Sequence, residues 1–354
     1  MSGVKIERDV PLAGFTTMRL GGRARCLAHV RSKRDLTEAL DVAADESLPV
    51  LTLGSGSNTI FTDAGYPGLV LINEIKGLSV SGEGGTFHLT AGAGEIWDDV
   101  VARSVGLGLT GIEAMTMVPG TAGAAPVQNI GCYGQELADT LVELEAYDMR
   151  KRQFVVMSAA ECGFLYRTSI FSPGHPHHQE NRYIIISITL ELGRGNIKTP
   201  LYTTLQKFFD ERGISDYSPR SVREALKEWR GSYLPDPSKV ANCGSFFKNP
   251  IITKEKLAEI LDKDPAIKDH PTQWYWELPD GRIKIAAGRL AEAAGLRDWH
   301  DPETGMATWK TQALLFVNES AKSYADLARF EEKYLDKIHD RFGVVFEREV
   351  RVIK

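Results

Sequence analysis

The segment Asn242-Cys-Gly-Ser-Phe-Phe-Lys-Asn-Pro250 places one hydroxyl group in apolar surroundings. Ser245 follows a glycine and precedes two phenylalanines, which predicts that it lies in an apolar wall with its hydroxyl free to point inward. Lys248 and Asn249 add a charge and an amide. The segment lacks the G-x-S-x-G pattern of a nucleophile elbow, which argues against acyl transfer. A buried strand that ends in a capped turn is the alternative interpretation.

Two further motifs carry charged side chains. In Tyr166-Arg-Thr-Ser-Ile-Phe171, the neighbours of Arg167 are aromatic and apolar, which predicts a partly buried guanidinium in need of an anion. In Phe346-Glu-Arg-Glu-Val-Arg351, strand alternation would put Glu349 and Arg351 on one face. An ordinary ion pair and a solvated edge strand are the respective alternatives.

A glycine-serine loop follows a predicted strand and is suited to a pyrophosphate. Glycines let main-chain N–H groups approach a phosphate closely, and hydroxyl and amide side chains add donors. The spacing is not that of the Rossmann fingerprint, and no Gly-Lys-Ser/Thr follows as in a Walker loop. An ordinary tight turn is the alternative. The candidate contacts in this loop are Gly54, Ser55, Gly56, Ser57 and Asn58.

Residues 118–134 are so rich in glycine, alanine and proline that they cannot form regular structure throughout. This composition permits the main chain to pack flat against a planar ligand. Gln128 and Asn129 offer amide hydrogen bonds suited to an isoalloxazine or nucleotide edge. A tight crossover between packed elements is the alternative.

Alternating strand and helix signals must position these motifs. Apolar residues at helical spacing predict helices, and Ser218 followed by Pro219 provides an N-cap and a first helical residue. Residues 264–282 look like a loop or hairpin insertion. The predicted helices are 34–48, 95–107, 219–229, 255–262, 285–294 and 323–342. The predicted strands are 49–54, 69–73, 141–148, 153–157, 183–192 and 344–353.

Composition limits the classes of protein that fit. The chain has 354 residues with 43% hydrophobic and 25% charged residues, which suggests two or three globular domains with a core able to hold a bulky cofactor. A net charge of −5 does not predict a basic surface for nucleic acid. The longest apolar runs have the length of a strand, which is too short for a membrane span. The N-terminus shows no signal-peptide core. Four scattered cysteines without a CxxC pair argue against a disulfide framework or zinc site and fit a reducing cytoplasm.

Together and in this order, the motifs resemble those of the UDP-N-acetylenolpyruvoylglucosamine reductase family. Residues 53–58 are similar to its G-x-G-S-N flavin pyrophosphate loop, and residues 119–134 to its P-G-x-x-G…Q-N-I-G-x-Y-G segment. The YRTSIF, GSFFKNP and EREVR segments resemble three more family motifs, and the resemblance runs from about residue 17 to the last residue. Tyr202-Thr-Thr-Leu205 resembles a loop of the type I branch that folds over the substrate.

The resemblance implies an α+β protein with a vanillyl-alcohol-oxidase-type (PCMH-type) FAD-binding fold of two subdomains plus an α+β substrate-binding domain. The implied bounds are 1–75, completed by 340–354, and 76–200 for the FAD-binding subdomains, and 218–338 for the substrate-binding domain. The C-terminal strand would return to the first subdomain.

The implied activity is reduction of UDP-N-acetylglucosamine enolpyruvate to UDP-N-acetylmuramate by NADPH through non-covalent FAD. Hydride would pass from flavin N5 to C3 of the enolpyruvyl group, and a proton would reach C2. The enzyme would serve peptidoglycan precursor synthesis in the cytoplasm, with no nucleic acid or membrane as partner. A monomer is favoured, although the sequence does not fix the oligomeric state.

The resemblance also assigns roles to residues. Arg167 would face the substrate carboxylate, Ser245 would donate the proton, and Glu349 would be the catalytic glutamate. No metal is implied. The implied cofactor contacts are Gly54, Ser55, Gly56, Ser57, Asn58, Pro119, Gly120, Gly123, Gln128, Asn129, Gly131 and Arg351. The implied substrate contacts are Tyr133, Tyr202, Arg230, Asn249 and Lys284.

The chain departs from the family pattern at a few positions. Ala124 and Ala125 stand where the family often has serines. Tyr233 stands where a lysine is common in the type I branch, and its loss would weaken diphosphate binding or reroute it to Arg230 or Lys248. None of these positions is one of the three proposed catalytic residues.

Three alternatives remain open. A flavin oxidase of the same fold would attach flavin to a histidine or cysteine, for which Cys132 in the flavin segment is the nearest candidate. A catalytically silent protein would bind the nucleotide sugar without turnover. The His-Pro-His-His segment at 175–178 could hold a metal, although histidines in such a Gly/Pro loop are usually solvated.

Overall fold

The computed structural model describes residues 3–197, 201, 203–264, 267–268 and 273–354, and the chain divides into two compact units. Each unit combines stretches that are distant in the sequence. The first unit consists of Met1–Val10, Ala24–Ser55 and Tyr66–Ser232. The second consists of Pro11–Arg23, Gly56–Gly65 and Tyr233–Lys354.

Helices and strands alternate along the described residues. The helices are α1 (Lys33–Asp45), α2 (Trp97–Gly106), α3 (Thr203–Arg212), α4 (Pro219–Tyr233), α5 (Lys254–Lys263), α6 (Ala287–Ala293) and α7 (Tyr324–Phe342). The strands are β1 (Ile6–Pro11), β2 (Arg23–Val30), β3 (Val50–Leu53), β4 (Thr59–Phe61), β5 (Tyr66–Asn73), β6 (Leu78–Glu83), β7 (Thr86–Gly92), β8 (Leu109–Thr110), β9 (Gly131–Cys132), β10 (Gln135–Glu136), β11 (Leu141–Asp148), β12 (Gln153–Ser158), β13 (Tyr183–Arg194), β14 (Ala241–Ser245), β15 (Ile251–Ile252), β16 (Tyr275–Glu277), β17 (Ile283–Ile285), β18 (His300–Asp301), β19 (Met306–Trp309), β20 (Gln312–Asn318) and β21 (Arg351–Ile353).

The first unit is built on two sheets. One has the order β1-β2-β5-β3, and both β2 and β3 run parallel to β5. Helix α1 covers this sheet because its apolar residues recur on one face and are buried against it. The other sheet is antiparallel, with the order β12-β11-β13-β7-β6, and it packs against α2. Ile184 and Ile186 of β13 also join the core of the first sheet.

The second unit has an antiparallel sheet of order β14-β20-β19-β18. Its core is aromatic: the rings of Phe246 and Phe316 stack with centroids 4.4 Å apart, and Phe330 and Tyr334 of α7 pack on Phe316. A small sheet of order β15-β17-β16 and a parallel pair of β4 with β21 complete the unit. The apolar residues at helical spacing that predict the helix at 323–342 are therefore core residues.

Serine side chains cap the starts of two predicted helices, and of these caps only the one at Ser218 was predicted. The Ser323 hydroxyl accepts the N–H of Asp326, whose carboxylate in turn accepts the N–H of Ser323, so a capping box begins α7. The Ser218 hydroxyl accepts the N–H of Ser221 at 3.3 Å ahead of α4. These local signals explain why the helices predicted at 219–229 and 323–342 are confirmed, although α4 extends to Tyr233.

Three predictions at the element level need correction. The predicted terminal strand over 344–353 is wrong for most of its length, since only Arg351–Ile353 forms a strand. The preceding residues pair through one isolated bridge, between Phe247 and Arg348, and through single hydrogen bonds, since residues 246–250 opposite them do not form a regular strand either. The helix predicted from 285 begins at Ala287, because Ile283–Ile285 pairs as β17. The expected loop at 202–205 contains the first turn of α3, and Tyr202 lies outside the described residues.

Candidate active site

The glycines of the 54–58 loop lie where main chains approach closely. In the first unit, a Cβ on Gly54 would be 2.6 Å from the Thr121 hydroxyl oxygen and 3.4 Å from the Ala124 Cβ. In the second unit, Gly56 has φ +64°, and a Cβ there would be 2.0 Å from the Phe15 carbonyl oxygen. Packing therefore excludes side chains at both positions, and Ser55 between them is exposed.

The 118–134 segment is fixed by its own main chain. The carbonyl of Gly120 accepts the N–H of Trp97 at 3.1 Å, next to exposed Pro119. Gly123 permits contact with Ala93, since a Cβ would be 2.5 Å from the Ala93 Cβ. The segment therefore runs tightly along the start of α2, with Gln128 half-buried at the end of a short 3₁₀ turn.

Asn129 holds this segment in shape. The residue is 2% exposed and has a left-handed backbone with φ 45°. Its amide donates to Glu136 at 2.9 Å and to the Leu165 carbonyl at 3.3 Å, and its oxygen accepts the N–H of Ala138 at 3.0 Å. Its polar atoms are thus engaged within the protein, so any effect on a flavin would come through the shape of the loop.

The loop that carries Arg167 is attached to the 118–134 segment. Ser169 is fully buried, and its hydroxyl donates to the Val127 carbonyl at 2.9 Å. Arg167 is half-buried with φ 52°, and its guanidinium donates to the Gly131 carbonyl. A long side chain in the left-handed region is uncommon and is found at sites where the surroundings impose it. The fold therefore holds the Arg167 guanidinium beside the predicted flavin segment.

Tyr133 lies at the tip of the β9–β10 hairpin. Cys132 pairs with Gln135, and the two turn residues, Tyr133 and Gly134, have φ of 50° and 86°, the pattern of a type I′ turn. The Tyr133 hydroxyl accepts a hydrogen bond from Arg230 Nη1 at 3.2 Å, and the Trp229 ring packs 5.2 Å away. Gly134 marks this turn in the sequence, but nothing in the sequence predicts that Arg230 contacts Tyr133.

Two guanidinium groups lie close to Cys132. Burial raises the pKa of the Cys132 thiol to about 11, while the charges of Arg230 and Arg167 act in the opposite direction. The thiol donates to the Ala114 carbonyl at 3.1 Å. A phenol and two cations gathered in one part of the first unit form an environment suited to an anionic ligand.

In the second unit, the main chain brings Ser245 and Glu349 together. Ser245 ends β14 and is exposed, whereas Glu349 is half-buried. The N–H of Glu349 donates to the Phe246 carbonyl at 2.8 Å, and Phe247 bridges Arg348 in antiparallel fashion. A hydroxyl and a carboxyl separated by about a hundred residues thus come from adjacent main chains, as the proposed pairing of a proton donor and a carboxyl requires.

The end of the glycine-serine loop joins the same place. The Asn58 amide donates to the Glu349 carbonyl at 3.2 Å, and the Asn58 carbonyl accepts the N–H of Arg351 at 3.0 Å. Strand β21, which starts at half-buried Arg351, then runs parallel to β4. The predicted cofactor residues Ser57, Asn58 and Arg351 therefore belong to one local structure with Glu349.

An ion pair between a buried carboxylate and a partly exposed arginine anchors the terminal motif, and no motif in the sequence predicts it. Arg348 forks onto Glu331 of α7, with 2.7 Å from Nη2 to Oε2. The Glu331 side chain is 4% exposed, and its hydrogen bond to Arg348 raises the pKa of the arginine despite burial. No local signal in the sequence marks this pair, because Glu331 and Arg348 are 17 positions apart and residues 344–350 do not form a strand.

The remaining candidate substrate residues lie in different elements. The Asn249 side-chain oxygen accepts the N–H of Ala287 at 3.0 Å and so caps α6. Lys284 lies in β17, with its ammonium 5.7 Å from the Trp276 ring centroid. At the departure from the family pattern, burial raises the pKa of the Tyr233 phenol, and the Tyr233 carbonyl accepts the Trp309 indole N–H at 3.1 Å.

The histidines of residues 175–178 form hydrogen bonds within their own loop. His175 Nδ1 accepts the N–H of His177 at 3.1 Å, and His178 Nδ1 lies 3.0 Å from the Ile170 carbonyl oxygen. Across the described residues, no group of three or more His, Cys, Asp or Glu side chains is arranged to hold a metal ion. All four cysteines have free thiols. In that same part of the chain, none of the helices has both the length and the apolar character to cross a bilayer.

Comparison with known proteins connects these features. Residues 24–153 match the FAD binding domain family, and residues 236–353 match the family described as UDP-N-acetylenolpyruvoylglucosamine reductase, C-terminal domain. The chain is 37% identical over 352 residues to the UDP-N-acetylenolpyruvoylglucosamine reductase of Ralstonia nicotianae, which covers 98% of this chain and 99% of that protein. The chain belongs to the UDP-N-acetylenolpyruvoylglucosamine reductase family.

Other members of the family give the same result. The chain is 33% identical over 347 residues to the reductase of Pseudomonas aeruginosa, with 98% of each chain covered. The crystal structure of the reductase from Thermus caldophilus matches with a TM-score of 0.66 and 21% identity, and covers 99% of this chain and 100% of that one. The predicted family and the predicted FAD-binding fold are confirmed, and the chain is an FAD-dependent oxidoreductase.

Proposed function

We propose that this protein reduces UDP-N-acetylglucosamine enolpyruvate to UDP-N-acetylmuramate with electrons from NADPH. The observation that carries the proposal is the hydrogen bond from the Glu349 N–H to the Phe246 carbonyl, which puts the main chains of Ser245 and Glu349 on neighbouring segments. Family membership supports the substrate, because the relatives that cover almost the whole chain carry the name of this reductase. The product is a precursor of peptidoglycan.

The glycine positions of the chain fit FAD. Close packing requires glycine at Gly54, Gly56 and Gly123. Glycine also leaves the neighbouring main-chain N–H groups without a flanking side chain, as the approach of a pyrophosphate or a flat ring requires. The residues proposed to hold FAD are 54–58, 119–120, 123, 128–129, 131 and Arg351. When bound, FAD supplies a carrier that accepts hydride from NADPH and passes it to the substrate.

Arg167 is proposed to stabilise the charge that develops on the substrate. Addition of hydride to C3 of the enolpyruvyl group drives electron density into the conjugated carboxylate, which becomes an enediolate dianion. A guanidinium remains charged at any physiological pH and forks onto two oxygens, so it lowers the energy of this dianion most when it is already in place. The contacts of Arg167 to Gly131 and of Ser169 to Val127 provide that fixed position.

Ser245 is proposed to complete the reaction by giving its proton to C2. A hydroxyl is a weak acid, so it serves only against a strongly basic carbon such as that of the enediolate. Glu349, in its protonated form, would donate a hydrogen bond to the substrate carboxylate. Main-chain hydrogen bonds hold both residues on adjacent segments, which limits the movement needed during proton transfer.

The finer assignments extend this proposal. Tyr133, Arg230, Asn249 and Lys284, with Tyr202 outside the described residues, are proposed to contact the UDP-sugar. We keep the domain bounds 1–75 with 340–354, 76–200 and 218–338, and we favour a monomer. Free thiols and the use of NADPH support a cytoplasmic setting.

The test is a direct assay of the purified protein. We expect yellow, non-covalent FAD that is released on denaturation, and oxidation of NADPH that accelerates when the enolpyruvyl UDP-sugar is added. NADPH oxidation that does not respond to this substrate would contradict the proposal. Flavin that stays attached to denatured protein, together with oxygen consumption on alcohols, would instead indicate an oxidase of the same fold.

A further inference from the structure

Met117 is held in an unusual conformation immediately before the flavin segment. It is a non-glycine residue with φ 58°, in the left-handed region that long side chains avoid. Its N–H donates to Asp98 Oδ1 at 2.7 Å, and its carbonyl accepts Arg230 Nη2 at 3.3 Å. A strained backbone of this kind persists only where the surroundings impose it. Here the Asp98 carboxylate binds the N–H of Met117, and the Arg230 guanidinium binds its carbonyl.

Asp98 is itself fixed by a second arginine of α4. Arg223 Nη1 lies 2.7 Å from Oδ1 and Nη2 lies 2.9 Å from Oδ2, while Nη1 also donates to the Thr116 hydroxyl at 3.1 Å. The Arg223 side chain is only 12% exposed. Burial raises the pKa of Asp98, but hydrogen bonds from Arg223 and Met117 outweigh it and leave the pKa below its usual range.

The two arginines act from one face of the helix. Arg223 and Arg230 are seven residues apart in α4, which is close to two helical turns. Arg223 therefore fixes α4 against α2 and the 116–117 segment, and Arg230 meets Met117 and Tyr133 from the next position on the same face. The buried Nε of Arg230 lacks a hydrogen-bond partner among the described residues, as expected of a group that a ligand completes.

We propose that the Asp98–Arg223 ion pair is a positioning pair for the reduction, acting through Thr116 and Met117 on Arg230 and Tyr133. The inference rests on the proposed function, because it assigns the pair to the binding of the anionic UDP-sugar. The pair does not touch the substrate. It fixes the register of α4 relative to Thr116 and Met117.

Asp98→Asn and Arg223→Lys test this role, since Asp98→Asn keeps the shape of the side chain and loses its charge, whereas Arg223→Lys keeps the charge and loses the bidentate fork. We expect the KM for the enolpyruvyl substrate to rise about tenfold, which corresponds to the coupling of neighbouring residues in one network. FAD content and the rate of flavin reduction by NADPH should not change. In an Arg230→Met background, Asp98→Asn should add less than twofold, because its effect passes through Arg230.

Arg220→Met is the matched control. Arg220 lies on the same helix and pairs with Glu224 in solvent, with the two side chains 83% and 68% exposed. Its KM should equal that of the wild type. Asp98→Asn and Arg223→Lys proteins with unchanged KM, or with a lowered melting temperature alone, would overturn the inference, as would full additivity with Arg230→Met.

The proposed function and this inference fail in different ways. A wild-type protein that does not reduce the substrate overturns the proposed function and the positioning role with it. A wild-type protein that is active, beside Asp98 and Arg223 variants of normal KM, overturns only the positioning role. If Asp98→Asn does not fold, the milder Arg223→Lys variant provides the same comparison.

Discussion

Among single residues, Ser245 gives the sharpest division between the two halves of the proposed reaction. We expect Ser245→Ala to keep flavin reduction by NADPH and to slow flavin reoxidation by the enolpyruvyl substrate by about 10²-fold or more, the range of a lost general acid. Stopped-flow absorbance measures each half-reaction separately. Ser81→Ala, at an exposed position of β6, is the control. Slowing of the first half-reaction to the same degree would remove Ser245 from its proposed role.

Variants of Arg167 test whether stabilisation of the enediolate needs two fixed hydrogen-bond donors or only a positive charge. Arg167→Lys keeps a cation and loses the fork, and Arg167→Met loses both. We expect reoxidation by substrate to slow by about 10- to 100-fold in the lysine variant and further in the methionine variant, since charged hydrogen bonds contribute about 1.5–3 kcal/mol each. The same stopped-flow experiment measures this order. A lysine variant that is reoxidised as fast as the wild type would argue against bidentate contact, and equal rates in the two variants would argue against a contribution from the charge alone.

Turning to the elements, the terminal motif depends on an ion pair rather than on a strand ladder. Arg348→Met would leave the Glu331 carboxylate, 4% exposed, without its cation. We expect the free energy of unfolding to fall by about 3 kcal/mol, the lower end for a broken buried pair, because Arg348 itself is 38% exposed. Urea unfolding followed by fluorescence measures this change.

An exposed pair of the same unit serves as the control for Arg348→Met. Arg282→Met removes the partner of Asp280, and these two side chains are 58% and 50% exposed. We expect its unfolding free energy to stay within about 1 kcal/mol of the wild type. Similar losses of unfolding free energy in both variants would mean that the Arg348–Glu331 pair stabilises the fold no more than an exposed pair does.

The turn at Gly56 offers a second prediction for elements. Gly56→Ala would force a Cβ to within 2.0 Å of the Phe15 carbonyl oxygen at φ +64°. We expect loss of bound FAD and destabilisation by more than about 2 kcal/mol. Gly106→Ala, in the last turn of α2 with no atom near its Cβ position, should keep both FAD and stability. Flavin absorbance after gel filtration measures retention, and an FAD content equal to wild type would contradict the assignment.

The elements also show what the sequence could and could not predict. Helix α7 was predictable because Ser323, Asp326 and the apolar stripe are all local signals. Strand β17 was not, because buried Ile285 looks the same in a short strand as in the first turn of a helix. Pairings such as that of Glu349 with Phe246 join segments far apart in the chain, and the periodicity of apolar residues within a segment does not predict them. The family motifs predicted which residues belong to the site, but they did not predict the hydrogen bonds and ion pairs that fix those residues in position.

For the molecule as a whole, buried carboxylates shape the response to acid. The Asp148 side chain is 1% exposed, and its hydrogen bond from Arg182 lowers its pKa in the folded protein despite burial. A lowered folded pKa means that this stabilisation is present above the unfolded value of about 3.9 and is lost as the pH falls through the folded pKa.

Asp148→Asn should therefore unfold more easily than the wild type at neutral pH, with the difference shrinking below about pH 4. Unfolding by urea over the range from about pH 3 to 7 measures both curves. A constant difference across that range would show that the charge of Asp148 does not contribute to the acid response.

The interleaved make-up of the second unit has a consequence for biosynthesis. Its first two stretches, Pro11–Arg23 and Gly56–Gly65, leave the ribosome early, whereas Tyr233–Lys354 follows only after every residue of the other unit. Strand β4 must wait for β21, about three hundred positions later, before its hydrogen bonds are made. Nascent chains therefore carry an unsatisfied strand edge through most of translation, a state prone to aggregation and to capture by chaperones.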